Sequence, residues 1–149
     1  MQIPSTRLLQ FSQQFKKFYA HQFSSLLAET GLSMREVDVL LFLANNPGYD
    51  TARDITEYRG LSKSQVSQAV DLLSAEGLLQ RTPDTSDRRI VHLSITEEGR
   101  PIALQAQAIQ SSCGQQLLDG LTSEQSDLLY SILVTVLDNA SRLAEEAAL

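Results

Sequence analysis

Two groups of side chains near the middle of the chain have types and spacings suited to hydrogen bonding with nucleic acid. The first combines hydroxyl, amide and ammonium groups and consists of Ser62, Lys63, Ser64, Gln65, Ser67 and Gln68. The second is Asp87-Arg88-Arg89, in which a carboxylate stands beside two guanidinium groups. Glutamine can pair with adenine, lysine can donate to guanine or phosphate, and arginine is attracted to a narrow minor groove. Both groups therefore indicate contact with DNA.

The elements that must present these groups are two short helices and a β-hairpin. Thr51 with Asp54 has the spacing of a capping box, in which each side chain satisfies a free backbone N–H at a helix start. A second box at Ser62 predicts a recognition helix with its apolar stripe inward and its polar groups outward. The ranges 78–82 and 90–94 are rich in apolar and β-branched residues and flank a turn, which predicts a hairpin with the basic tripeptide at its tip. A polar helix face can also be simply solvated, so the DNA-binding interpretation rests on the combination.

Four further helices are predicted on either side of this region. They run from about Ser5 to Glu29, from Ser33 to Asn45, from residue 97 to 119 and from Thr122 onward. Pro101 would lie about five residues into the third of these helices and distort its first turn, because proline has no N–H to donate. The last helix has an apolar face broader than one partner helix would cover. That breadth favours packing against another subunit, with an intrachain core helix as the alternative.

The composition is that of an ordinary globular protein, with 42% hydrophobic and 20% charged residues among 149. The net charge of −6 arises entirely in residues 93–149, which hold two basic and eight acidic side chains. The rest of the chain is balanced rather than strongly basic, so we expect modest DNA affinity that depends on shape and dimerisation as well as on charge. No apolar run is long enough for a membrane span and residues 1–7 lack a signal-peptide pattern, so we expect a cytoplasmic protein.

The motifs give no support to catalytic or metal-binding chemistry. His21 and His92 lie in different elements, whereas a metal site needs three or four converging ligands. The single Cys113 lies on an apolar helical stripe, which favours a buried, inert thiol in a reducing compartment. No nucleophile–base set, phosphate-binding loop or carboxylate pair stands out, so we expect neither an enzyme nor a cofactor.

Three longer segments extend the central pattern. They are Leu72-Leu73-Ser74-Ala75-Glu76-Gly77-Leu78-Leu79, Asp84-Thr85-Ser86-Asp87-Arg88-Arg89 and Leu93-Ser94-Ile95-Thr96-Glu97-Glu98-Gly99. Together they resemble the MarR family of winged helix-turn-helix transcriptional regulators. The resemblance implies a single mainly helical domain over 1–149, with a small β-hairpin wing. Within it, the winged helix-turn-helix covers 33–98 (helix-turn-helix about 51–76, wing about 79–94), and 1–30 and 99–149 form dimerisation helices.

The same resemblance implies roles for residues and partners. The protein would be a homodimer on palindromic double-stranded DNA, with Arg89 entering the minor groove, Asp87 bracing it and Arg88 at a phosphate or in solvent. A small-molecule effector would lodge where the first two helices meet the fifth. The aromatic side chains there can line a pocket for an aromatic or lipophilic compound, or can equally be dimer core: Phe15, Phe18, Tyr19 and Phe23.

We therefore expect a dimeric DNA-binding transcriptional regulator. A repressor that a small molecule releases from a promoter is the favoured form. The alternative is a winged-helix adaptor that binds a protein and does not read DNA. The cationic hairpin tip argues against the adaptor, and the overall acidity argues for it.

Overall fold

The computed structural model describes residues 3–148 as a mainly helical protein with one two-stranded sheet. Its elements are α1 (Ser5–Thr30), α2 (Met34–Asn45), α3 (Ala52–Asp54) followed by a π turn (Ile55–Arg59), α4 (Lys63–Ala75), β1 (Leu79–Pro83), β2 (Val91–Ile95), α5 (Arg100–Leu117) and α6 (Ser123–Ala147). The predicted fold class is confirmed. The described residues do not include Met1, Gln2 and Leu149, which are the outermost residues of the expected dimerisation ranges. Met1 and Gln2 also belong to residues 1–7, on which the expectation of a cytoplasmic protein partly rests.

Capping boxes start the helices at the positions that the spacing predicted. In all four, the side chain of the N-cap residue faces the backbone N–H of N3, the third helical residue, and the side chain of N3 faces the backbone N–H of the N-cap. The pairs are Ser33 with Glu36, Thr51 with Asp54, Ser62 with Gln65 and Thr122 with Gln125. Helix α4 ends at Ala75, and the φ of 72° at Gly77 beyond it lets the N–H of Leu78 donate to the oxygen of Leu73 at 2.8 Å. Local chemistry thus sets where α4 begins and where it ends.

The end of α4, the hairpin and the start of α5 meet at Leu78. Strands β1 and β2 are antiparallel, with Leu79 opposite Ile95, and each begins one residue later than predicted. Thr96 donates its N–H to the oxygen of Leu78 at 3.1 Å and its hydroxyl to the oxygen of Gly77 at 2.6 Å. A methyl group at Gly99 would collide with the same Leu78 oxygen, so glycine is required for this close approach.

The structure corrects two expectations about helix shape. The short helix predicted to begin at Thr51 is regular only over Ala52–Asp54 and continues as the wider π turn, in which hydrogen bonds span five residues. Helix α5 begins at Arg100 rather than at residue 97, because Pro101 has no N–H to extend the hydrogen bonds toward the preceding turn. Pro101 is therefore the second residue of α5, and the prediction that it lies five residues inside the helix was wrong.

The described residues form two compact units, which divide between Cys113 and Gly114. The first unit contains one hydrophobic core to which α1, α2, the π turn and α4 all contribute. Its largest fully buried side chains are Phe23, Leu26, Val37, Val39, Leu40, Ile55, Val66 and Leu73. Cys113 is buried, as predicted. Since α4 is anchored in this core on one side, its opposite side must face outward.

The second unit contains α6, in which none of the described residues is buried. Its apolar side chains are broadly exposed, including Leu128 at 61%, Leu137 at 63% and Leu143 at 55%. Helix α6 therefore presents a long apolar face to solvent in the monomer. No helix among the described residues is both long and apolar enough to cross a bilayer.

Leu73→Ala should lower the free energy of unfolding by about 2–5 kcal/mol, because it removes a fully buried side chain from α4 and leaves a cavity. The adjacent Leu72 is 41% exposed, so Leu72→Ala is a matched control with an expected loss below about 1 kcal/mol. Urea denaturation followed by circular dichroism measures both changes. Equal losses in the two variants would contradict the orientation of α4.

Candidate functional site

The outward side of α4 carries the polar residues that the sequence singled out. All but one of them are exposed, namely Ser62, Lys63, Ser64, Ser67 and Gln68. Gln65 is half-buried because its amide oxygen accepts from the N–H of Ser62 at 3.0 Å, which completes the capping box. Ser62 and Gln65 therefore hold the start of the helix, while the others point away from the core.

Arg35 of α2 orients one of the glutamines on this surface. Its guanidinium donates to the amide oxygen of Gln68 at 3.0 Å. A bidentate pair with adenine needs both the oxygen and the nitrogen of a glutamine amide. The amide oxygen of Gln68 has two lone pairs, so it can accept from a base while Arg35 orients the side chain. Sequence reasoning missed the contact with Arg35, because the two residues lie 33 positions apart.

A groove of about 910 Å³ lies between α4 and the wing strands. Three cationic side chains line it: Arg53 from α3, Lys63 from α4 and Arg81 from β1. Its apolar lining includes Val66, Val70, Val91 and Leu93. Arg81 is paired with Asp71, so Arg53 and Lys63 supply most of the uncompensated positive charge in the groove.

The wing tip holds Arg89 in a fixed position relative to Asp87. The Nε of Arg89 donates to Asp87 Oδ1 at 3.2 Å, its Nη2 donates to Oδ2 at 3.3 Å, and its backbone N–H donates to Oδ1 at 3.0 Å. This pairing lowers the pKa of Asp87 below its usual value. The Arg89 side chain is nonetheless 91% exposed. Its charge is both oriented and available, and Arg88 beside it is also exposed.

His92 lies between two carboxylates at the base of the wing. Its Nδ1 is 2.8 Å from Asp50 Oδ1 and its Nε2 is 2.8 Å from Asp84 Oδ1. Hydrogen bonds to Asp50 and then to Asp84 raise the pKa of His92. Sequence reasoning had weighed His92 only as a metal ligand. Within residues 3–148, no group of three or more His, Cys, Asp or Glu side chains is placed to hold a metal ion.

A second cavity, of about 600 Å³, opens among α1, α2, the π turn and α5. Of the four aromatic residues predicted there, Phe15 and Tyr19 line it. Phe23 is fully buried in the core and Phe18 is half-buried outside the lining, so the structure separates these two from the cavity. The rings of Phe11, Phe15, Tyr19 and Phe23 follow one another along α1, with successive centroids 4.8–6.0 Å apart.

Polar side chains form the rest of the cavity wall. Gln110 of α5 donates to the hydroxyl of Tyr19 at 3.2 Å and accepts from the amide of Asn45 at 2.8 Å. Burial raises the pKa of Tyr19, so it stays a neutral hydroxyl near neutral pH. The cavity therefore offers an aromatic surface beside hydrogen-bonding amides and a hydroxyl.

The wall of this cavity also contains an ion pair, one member of which lies in the segment just before α4. Arg59, the last residue of the π turn, places its guanidinium 2.8 Å from Asp38 of α2. Burial raises the pKa of Asp38, and the hydrogen bond and charge of Arg59 oppose that rise. No local signal in the sequence indicates this pair, because its partners lie 21 residues apart. Arg59 lies three residues before the N-cap of α4, so it links the cavity to the start of that helix.

A family model described as "MarR family" matches residues 30–90, which include α2, α3, α4 and β1. Among curated proteins, the chain is similar to the HTH-type transcriptional regulator YwaE of Bacillus subtilis, with 29% identity over 87 residues, 58% of this chain and 51% of that protein. It is also similar to the transcriptional repressor MprA of Escherichia coli, with 26% identity over 87 residues, 58% of this chain and 49% of that protein. The chain thus spans about half the length of the curated relatives it matches.

Solved structures extend the likeness to most of the chain. CouR from Rhodococcus jostii, whose crystal structure has p-coumaroyl-CoA bound, superposes with a TM-score of 0.69 and 26% identity. The match covers 91% of this chain and 95% of CouR. The likeness therefore extends well beyond residues 30–90.

Arg59→Ala should lower the free energy of unfolding by about 1–3 kcal/mol at about pH 7.5, because it leaves the Asp38 carboxylate buried without its cation. The folded-state pKa of Asp38 lies above its unfolded value and should rise further in the variant. Protonation then removes the buried charge, so the deficit should shrink as the pH falls through that pKa. Urea denaturation over a pH series from about 7.5 down to about 4 tests this. In an Asp38→Asn background the same change should cost clearly less, and an unchanged cost there would contradict the pairing.

Proposed function

This chain belongs to the MarR family, and we propose that it is a sequence-specific DNA-binding transcriptional regulator. In this proposal it binds a palindromic operator as a homodimer and represses a promoter until a small molecule releases it. The observation that carries the proposal is the wing tip, where Asp87 orients an exposed Arg89. The similarity to MprA, a transcriptional repressor, supports repression over activation.

Arg89 is suited to enter a minor groove. A narrow groove concentrates negative potential and attracts a guanidinium. A free arginine would lose side-chain entropy on insertion, roughly 0.5–1.5 kcal/mol, and the Asp87 contacts meet part of that cost before binding. Asp87 also sets the direction of the guanidinium, so Asp87 is the bracing residue and Arg89 the contacting one.

Helix α4 is suited to the major groove. We infer that Lys63, Ser64 and Ser67 contact bases or phosphates directly, since they are exposed on the outward side. Ser62 and Gln65 contribute by ordering the first turn, whose free N–H groups attract a phosphate. Gln68 contributes base contacts from the position in which Arg35 holds it. Arg88 and Arg53 would meet the phosphate backbone on either side.

A second copy of the chain is the partner that the exposed apolar side chains favour. In the first unit, Leu8, Leu9 and Phe11 of α1 are 57%, 70% and 56% exposed. In the second unit, α6 exposes its apolar face along its whole length. Contiguous apolar surfaces of this kind in small proteins are covered in an assembly. We propose that they form the homodimer contact that presents two wings to a palindrome.

The cavity beside Tyr19 is the proposed effector site. Its aromatic wall, its amides and the Arg59–Asp38 pair suit a flat aromatic ligand that carries an acid group. CouR binds a p-coumaroyl group as its CoA thioester, which supports an aromatic ligand here. A ligand carboxylate would compete with Asp38 for Arg59. Movement of Arg59 would shift the turn before α4 and change the separation of the two recognition helices.

Selection of random duplex DNA on the purified protein tests the proposal. We expect enrichment of a palindrome with half-sites about one helical turn, ~34 Å, apart. Titration of the enriched duplex at about 50 and 200 mM salt should show weaker binding at the higher salt, because phosphate contacts release counterions. No enrichment together with salt-independent weak binding would favour the protein-binding adaptor instead.

Arg89→Ala should weaken binding to the enriched duplex by roughly 1–3 kcal/mol per half-site, because it removes the minor-groove contact. Arg142→Ala is the control: it makes the same change in net charge on α6, where Arg142 pairs with Glu146. Fluorescence anisotropy measures both affinities, and light scattering checks that the assembly is intact. Equal affinities for Arg89→Ala and Arg142→Ala would remove the wing from the mechanism.

Phe15→Ala should weaken the binding of p-coumarate, used as the probe ligand, by roughly tenfold, because an aromatic contact is lost from the cavity wall. Phe18→Ala removes a ring of the same size from the same helix outside the cavity and should leave the affinity nearly unchanged. Calorimetry measures ligand binding, and anisotropy measures the release of DNA. Loss of binding in both variants, or in neither, would contradict the assignment of the cavity.

A further inference from the structure

The Asp50–His92–Asp84 cluster lies outside every DNA contact proposed above. It connects the wing to the rest of the winged helix-turn-helix, residues 33–98, which we call the head. We propose that His92 is a positioning residue: as an imidazolium it clamps the wing to the loop before α3, and so makes the orientation of the wing depend on pH. The effect of this clamp on DNA affinity rests on the proposed function.

The geometry requires both ring nitrogens to donate. A neutral imidazole has one N–H donor and one acceptor nitrogen. In His92 both nitrogens face carboxylate oxygens at 2.8 Å, and carboxylates only accept. A neutral ring would therefore turn a lone pair toward one of the two oxygens. Only the imidazolium satisfies Asp50 and Asp84 together.

On the wing side, the clamp continues to Arg89. Oδ1 of Asp84 accepts from His92, while Oδ2 accepts from the N–H of Ser86 at 2.9 Å and from the N–H of Asp87 at 2.9 Å. Asp87 in turn holds the guanidinium of Arg89. Asp84 therefore connects the His92 ring, through hydrogen bonds, to the backbone of the wing tip.

On the other side, the clamp joins β2 to the start of α3. The backbone oxygen of Asp50 accepts from the N–H of Leu93 at 2.7 Å, and the backbones of Thr51 and His92 form an isolated antiparallel β-bridge. Thr51 is the N-cap of α3. The carboxylate of Asp50 thus anchors His92 to the loop that opens the helix-turn-helix.

The surrounding charges do not compete for the ring. Asp54 of α3 accepts from Thr51, Asp87 of the wing pairs with Arg89, and on β1 Arg81 pairs with Asp71. Among the residues described, Asp50 and Asp84 are the charged groups that contact the imidazole. They raise the pKa of His92 above about 6.5, its ordinary value. The clamp is therefore complete below that value and is lost as the pH rises through the folded-state pKa.

The test combines nuclear magnetic resonance with DNA titration between about pH 5.5 and pH 9. Imidazole nitrogen shifts report the protonation of His92, and the amide signals of Ser86 and Asp87 report the wing. His92→Gln keeps one hydrogen bond without the titration. Asp50→Asn retains the histidine and removes one carboxylate charge. His21→Gln is the matched control, because His21 is the other histidine of the chain and lies on α1.

In the wild type we expect His92 to titrate above about 6.5, with the Ser86 and Asp87 amides moving at the same midpoint. Asp50→Asn should lower that midpoint. DNA affinity should fall about three- to tenfold across it as the wing arginine loses its ordered position. His92→Gln should bind weakly with a flat profile, and His21→Gln should follow the wild type.

A pKa of His92 at or below about 6.5 would overturn the clamp. So would amide signals of Ser86 and Asp87 that do not change as His92 titrates. A wild-type affinity profile retained in His92→Gln would overturn its effect on DNA binding. If no DNA binds at any pH, the proposed function fails, while the resonance data still decide whether His92 clamps the wing. The two failures are therefore distinguishable.

Discussion

The orientation of α4 is the constraint on which the rest of the head depends. One side of the helix is buried in the core through Val66, Ala69, Val70 and Leu73. Rotation by a single residue, about 100°, would bury Lys63 or Ser67 and expose this stripe, at a cost of several kcal/mol. At the end of α4, Leu73 binds the backbone of Leu78, and Leu78 binds Thr96. The hairpin and α5 therefore take their directions from the helix that precedes them.

Two ionic links connect α4 and the wing with their surroundings. Arg59 reaches Asp38 from the turn before α4, and His92 lies between Asp50 and Asp84 at the base of the wing. Partly exposed ion pairs such as the two at His92 contribute little to stability, typically about 0–1 kcal/mol, whereas Arg59 also compensates the buried carboxylate of Asp38. These ion pairs matter here because each one fixes the orientation of one element relative to the next. The head is held rigidly by its core and oriented at its margins by charge.

Local patterns in the sequence were enough to predict the fold class and the start of most helices. A capping box needs residues only three positions apart, and the stripe of α4 repeats within one helix. Contacts between distant residues have no such signature: Arg35 meets Gln68 across 33 residues, and His92 meets Asp50 across 42. Periodicity also grouped Phe15 with Phe23, but one ring lines a cavity and the other fills the core. Packing between helices decides that difference.

The π turn has a consequence for how this region tolerates change in length. It contains one more residue per hydrogen-bonded ring than an α turn and ends at Arg59. A π turn is wider than an α turn, so deleting one of its inner residues and restoring regular helix would leave the rotation and the rise from Ile55 to Arg59 nearly unchanged. Ile55 is buried in the core and Arg59 pairs with Asp38, so both ends of the segment are fixed by contacts. The identities of these two end residues therefore matter more than the number of residues between them.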